Sequence, residues 1–139
     1  MSNYEHELEI ARGIYNKAMK AYRTCKKSLK DIDASLSDNE KVKKVREVMS
    51  AIKDVYPIID ECHSWLVDLC SAFSSIRNLL DKSNDDEKDK FKKAYYQVGL
   101  TSCQNCLDKL YHMFDLVDVA RCDLQDRKED AEDTLSNIL

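Results

Sequence analysis

The chain has 139 residues, of which 43% are hydrophobic and 35% charged, and it carries a formal net charge of −4. That is long enough for one domain with its own core and too apolar for a disordered chain. Two glycines and one proline are too few for a sheet-rich fold, whose turns consume such residues every 8–12 positions or so.

Apolar residues spaced 4,3,4,3 tile almost the whole length. The first run is Tyr4, Leu8, Ala11, Tyr15, Ala18, Tyr22, Cys25, Leu29, Ile32 and Leu36. A repeat averaging 3.5 residues keeps one face of a helix turned towards a partner, as in coiled coils, and no strand satisfies it. The first helix is predicted from about Asn3 to Ala34. Ser37 and Glu40 have the spacing of a capping box, so a second helix starts there.

The second run is Val48, Ile52, Val55, Ile59, Cys62, Leu66, Leu69, Phe73, Ile76 and Leu80. It predicts a helix to about Lys82. Pro57 lacks an N–H and crowds the carbonyl of Lys53, but the stripe stays in phase through it, which favours a kink over a break. A second stripe adjoins the first between Ile58 and Ile76, making this the expected central helix, with Leu66, Leu69 and Phe73 in its core.

Asn84 as a cap with Glu87 three residues later predicts a new start. Phe91, Tyr95 and Val98 are expected to point inward from this helix. Gly99 followed by Leu100 fits a glycine-terminated helix end, and Thr101 with Gln104 repeats the capping-box spacing. The stripe also slips by one residue here, so a break at Gly99 is predicted. A last long helix then runs from about Ser102 to Asn137, its stripe interrupted by Arg121 and Lys128. The expected fold is all-α: a single domain over 1–139, an antiparallel bundle of three long amphipathic helices and one short one, four-helix-bundle-like.

Chemistry is harder to find. The cysteines Cys25, Cys62, Cys70, Cys103, Cys106 and Cys122 lie mostly on or beside the stripes, where a free thiol acts as a small hydrophobe. They are expected to be reduced and metal-free. Cys103 and Cys106 form a CxxC at a predicted helix N-terminus, where a thiolate is favoured. A thiol or zinc protein centred on this pair is therefore one alternative, although the second half of a zinc site is missing. His6 lies among acids near a terminus. His112 is one turn from Asp108 and Asp115, which suggests a surface ion pair, and His63 borders the second stripe as a hydrogen-bonded core-edge residue. No nucleotide-binding loop, nucleophile elbow or metalloprotease motif occurs, so no catalytic, cofactor or metal residues are assigned.

Charge is unevenly distributed. Between Arg12 and Lys30 lie seven basic residues and no acid, whereas eight acids face three bases between Asp115 and Asp133. The plain interpretation is a basic first helix beside an acidic last one. The sharper alternative is a cationic surface for nucleic acid or anionic lipid, which the overall acidity disfavours.

The leading expectation is a non-catalytic helical module, an adaptor, regulator, effector or assembly subunit, that binds another protein through its helix faces. A homodimer is the expected assembly, motivated by apolar residues running to the C-terminus (Ala131, Leu135, Ile138 and Leu139). No uncharged stretch approaches the ~20 residues of a membrane span and no signal-peptide pattern is visible. The expected location is the cytoplasm, with secretion only if a leader has been removed.

Overall fold

The computed structural model describes residues 3–29 and 32–139. It contains three helices: α1 (Asn3–Ser28), α2 (Asp38–Asp86) and α3 (Lys90–Ile138). No strand occurs among the described residues. At 1.5 Å per residue α1 is about 39 Å long and the other two about 74 Å each.

Contacts group the chain into two units. One comprises Met1–Tyr15 and Ser64–Leu116; the other comprises Asn16–His63 and Val117–Leu139. Each unit draws one stretch from every helix and packs three helices around its own core. In the first unit the Tyr4 ring meets Phe73 edge-on at 5.7 Å, and the Cys103 thiol donates to the Phe73 carbonyl at 3.4 Å. Leu66, Cys103, Leu107 and Leu110 are fully buried there, and Phe73 nearly so; Leu69 is half-buried. In the second unit Val45, Ile52, Ile59, Val117 and Leu124 lose all or nearly all contact with solvent.

The short fourth helix is absent, and Gly99 is the reason. It lies inside α3, and no described glycine has a positive φ. A glycine inside a helix costs only about 1 kcal/mol relative to alanine. Packing on both sides of Gly99, through Tyr96, Leu100 and Cys103, outweighs that. The apparent slip in the stripe marks the overlap of two faces on one helix: Tyr96 and Leu100 are half-buried, while Phe91, Tyr95 and Val98 are exposed. The inward orientation expected for those three is therefore wrong.

Helix ends also move. α1 stops at Ser28, six residues before the expected end at Ala34. The Ser28 hydroxyl turns back to the Cys25 carbonyl at 2.7 Å, and the Asp33 carboxylate accepts the Ser35 amide at 2.9 Å in a turn. Ser and Asp side chains that bond nearby backbone compete with helix in this way. Ser37 does cap α2, accepting the Glu40 amide on its hydroxyl at 3.3 Å. α2 runs through Pro57 to Asp86, past the predicted end at Lys82 and past Asn84, which is not a cap. The cap of α3 is Asp89, whose carboxylate accepts the amides of Phe91 at 2.8 Å and Lys92 at 3.3 Å. Several acids in a row offered competing caps, and the one that leaves the longer packed α2 prevails.

Candidate interaction surface

The CxxC pair is inside a helix rather than at its start. Cys103 lies more than three turns into α3, and both Cys103 and Cys106 are buried. Burial, then the neighbouring thiol, pushes the Cys103 pKa up, and burial does the same for Cys106. The helix N-terminus that would have favoured a thiolate is at Lys90, so the physical basis for a reactive pair is gone. Burial also raises Cys25 and Cys70 and takes Cys62 to about 11. Only Cys122 is exposed, and all six thiols are free. Among the described residues no group of three or more His, Cys, Asp or Glu side chains converges in a way that holds a metal.

In the second unit α2 and α3 are joined by a shared carboxylate. Asp118 lies 3.1 Å from His63 Nε2 and 3.2 Å from the Arg121 guanidinium, which also reaches Asp60 at 3.7 Å. Arg121 interrupts the apolar stripe in sequence because the packed positions beside it are Ala120 and Leu124. Burial works against its charge, but Asp118 outweighs that and raises its pKa. The carboxylate thus ties the two helices together through two partners. His6 and His112 are exposed, and among the described residues His112 makes no ion pair with Asp108 or Asp115.

The second unit also contains the polar link between α1 and α3. The Tyr22 hydroxyl donates to Asp123 at 2.6 Å, and Arg127 adds 3.2 Å contacts to the same carboxylate. Burial and this bond push Tyr22 up to about 12. For Asp123, burial is outweighed by the donors Tyr22 and Arg127, so its pKa falls. The basic first helix thus does lie beside the acidic last one here, but tyrosine makes the bridge. Lys17, Lys20, Arg23, Lys26 and Lys27 are all exposed and form no ion pair with α3 among the described residues; Lys26 lies 5.9 Å from the centre of the Tyr22 ring. Lys30 is outside the described residues.

The most unusual surface belongs to the first unit. Phe91 is 88% exposed, Tyr95 77%, Val98 71%, and Leu79 on the adjoining α2 is 66% exposed. Phe91, Tyr95 and Val98 are spaced i, i+4, i+7, so they share one face of α3. α1 begins at Asn3, and its Tyr4 packs on Phe73. Beyond Phe73, α2 continues for thirteen residues to Asp86, about 20 Å. The α2–α3 hairpin there carries an apolar outer face: one and two heptads further along α3 the register of Phe91 and Val98, at Asn105 and His112, is exposed as well. The C-terminal stripe differs: Ala131 is buried, Leu135 and Ile138 are half-buried, and only Leu139 is open.

No protein-family model, curated protein or solved structure matches this chain.

Proposed function

We propose that this chain is a non-catalytic helical module that binds another protein through a helix face. The observation that carries this reading is the open face formed by Leu79, Phe91, Tyr95 and Val98. Monomeric soluble proteins rarely expose a contiguous apolar patch of several hundred Å² without using it, and aromatic residues are favoured anchors at interfaces. The stripes that dominate the chain build its core and carry no reacting groups.

A photoreactive residue at position 95, within the full chain, tests the reading. Irradiation in extract of the native source, and of the purified chain alone, is expected to give protein adducts at position 95. Adducts at a control position such as Lys20 but not at 95 would remove the basis of the proposal.

A second reading is supported by the exposed cations of α1. Lys17, Lys20, Arg23, Lys26 and Lys27 form an exposed helix face on which only Lys26, among the described residues, is felt by an acid of α3, Asp123, and such a face attracts phosphate-rich surfaces. Binding of anionic vesicles or nucleic acid would then weaken steeply between low and physiological salt. Salt-independent binding, or none, defeats it.

A further inference from the structure

We propose that the open face on the α2–α3 hairpin is the surface through which two copies of this chain pair about a two-fold axis. The proposal rests on the reading of the chain as an interaction module and names the partner of that same face.

Area is the first argument. At the exposures seen for Leu79, Phe91, Tyr95 and Val98, the four residues offer roughly 500 Å² per copy, taking aromatic side chains at 150–250 Å² each. Two copies together then hide about 1,000 Å² before the surrounding charged residues are counted, and those bring the contact into the ~1,200–2,000 Å² range of stable interfaces.

Charge is the second. The chain carries a net charge of −4, which opposes its association with itself at most surfaces. The rim of this face is balanced instead. Residues 81–93 contain Asp81, Asp85, Asp86, Glu87 and Asp89 against Lys82, Lys88, Lys90, Lys92 and Lys93. The acids concentrate on the end of α2 and the bases on the start of α3. A strongly charged partner gains nothing from such a rim, whereas a second copy meets both signs with both signs.

Geometry is the third, and it selects the orientation. Phe91, Tyr95 and Val98 span about 11 Å of α3, with Tyr95 near the middle. A two-fold axis through Tyr95 runs the two α3 helices antiparallel and keeps the whole face in contact. Phe91 of one copy then packs near Val98 of the other, and the two Tyr95 rings meet at the axis. Such an isologous contact closes on itself and stops at two copies.

Sedimentation equilibrium of the full chain across 1–100 µM tests this. The expected result is a reversible change from 16.1 kDa to twice that mass. Tyr95→Glu is expected to weaken pairing at least tenfold with unchanged far-UV circular dichroism, because Tyr95 is largely exposed and its ring meets that of Tyr96 edge-on. Val119→Glu, at a residue 65% exposed in the other unit, is expected to leave pairing unchanged. In a Cys122→Ser background, Tyr95→Cys is expected to give a disulfide-linked dimer under mild oxidation, since two-fold symmetry brings the two positions together. A monomer at 100 µM, or a dimer indifferent to Tyr95→Glu, overturns the proposal. If the chain is a monomer yet position 95 crosslinks to a different protein, pairing is wrong and the module reading stands; if position 95 crosslinks to nothing, both fall.

Discussion

The two units solve the same problem differently. α1 has 26 residues against 49 in each of α2 and α3. In the second unit the connector residues Leu29 and Ile32 line one cavity with Val48 and Ala131, and Leu29, Ile32 and Leu36 are all half-buried. In the first unit Leu79, Phe91, Tyr95 and Val98 are left in water. A heptad stripe therefore states that a helix wants a partner, not that it has one. Which stripe becomes core depends on the side its neighbour takes: Tyr96 continues the register of buried Cys103 and Leu110, whereas Phe91 and Val98 continue that of exposed Asn105 and His112.

Phe73 is buried in the first unit and meets the Tyr4 ring, so it gives the largest expected contrast. Phe73→Ala should cost about 3–5 kcal/mol in denaturant unfolding. Phe91→Ala, measured at submicromolar concentration, should cost less than about 0.5 kcal/mol. Equal losses would mean that the hairpin tip is covered after all.

The closed unit should depend on its polar tie. Tyr22→Phe should cost about 1–2 kcal/mol, less than a fully buried bond to a charge because Asp123 is 29% exposed. Its pH dependence has two limbs. Tyr22 holds its proton up to about 12 when folded, so wild type should lose stability between its ordinary pKa of 10 and that value. Asp123 has a lowered pKa, so its contribution is present above the usual carboxylate range and is lost as the pH falls through and below it. Stability measured against pH should show both limbs in wild type, and Tyr22→Phe should shrink the alkaline one to the part carried by the buried thiols, whose pKa values are also raised.

Replacing the connector's apolar residues should loosen the closed end by a smaller amount. Ile32→Ala is expected to cost about 1 kcal/mol, as a half-buried side chain, whereas Leu79→Ala should be near neutral in the isolated chain. If Ile32→Ala is neutral too, the connector is not the cover described here.

Gly99→Ala has the smallest effect and the opposite sign. The added Cβ would meet only the Leu80 methyls at 3.8 Å, an ordinary contact. A gain of about 0.5–1 kcal/mol is expected. Destabilisation would restore the helix end at Gly99.

Much of the fold was legible in the sequence, because the periodicity of Leu66, Phe73, Leu107 and Leu110 reports a helical core directly. Helix ends were less legible. Ser37 caps as its spacing suggests, but Asn84, Glu87 and Asp89 offer rival caps, and only packing along the whole of α2 decides among them. Gly99 misled for a related reason: its backbone freedom is a permission, not an instruction. The open face was misread because Phe91, Tyr95 and Val98 have the spacing of a core stripe, and nothing local in them reveals that packing uses the adjoining register of Tyr96 and Cys103 instead.

The placement of the cysteines makes each unit its own timekeeper. Cys70, Cys103 and Cys106 are shut inside one, Cys25 and Cys62 inside the other, and Cys122 stands open. A thiol with a raised pKa and no access to solvent reacts with an alkylating reagent only when its surroundings open. In the untouched protein one sulfur should be modified at once, and the other five should wait for breathing motions. Mass spectrometry that follows each site would then show whether the two halves open on one clock or on two.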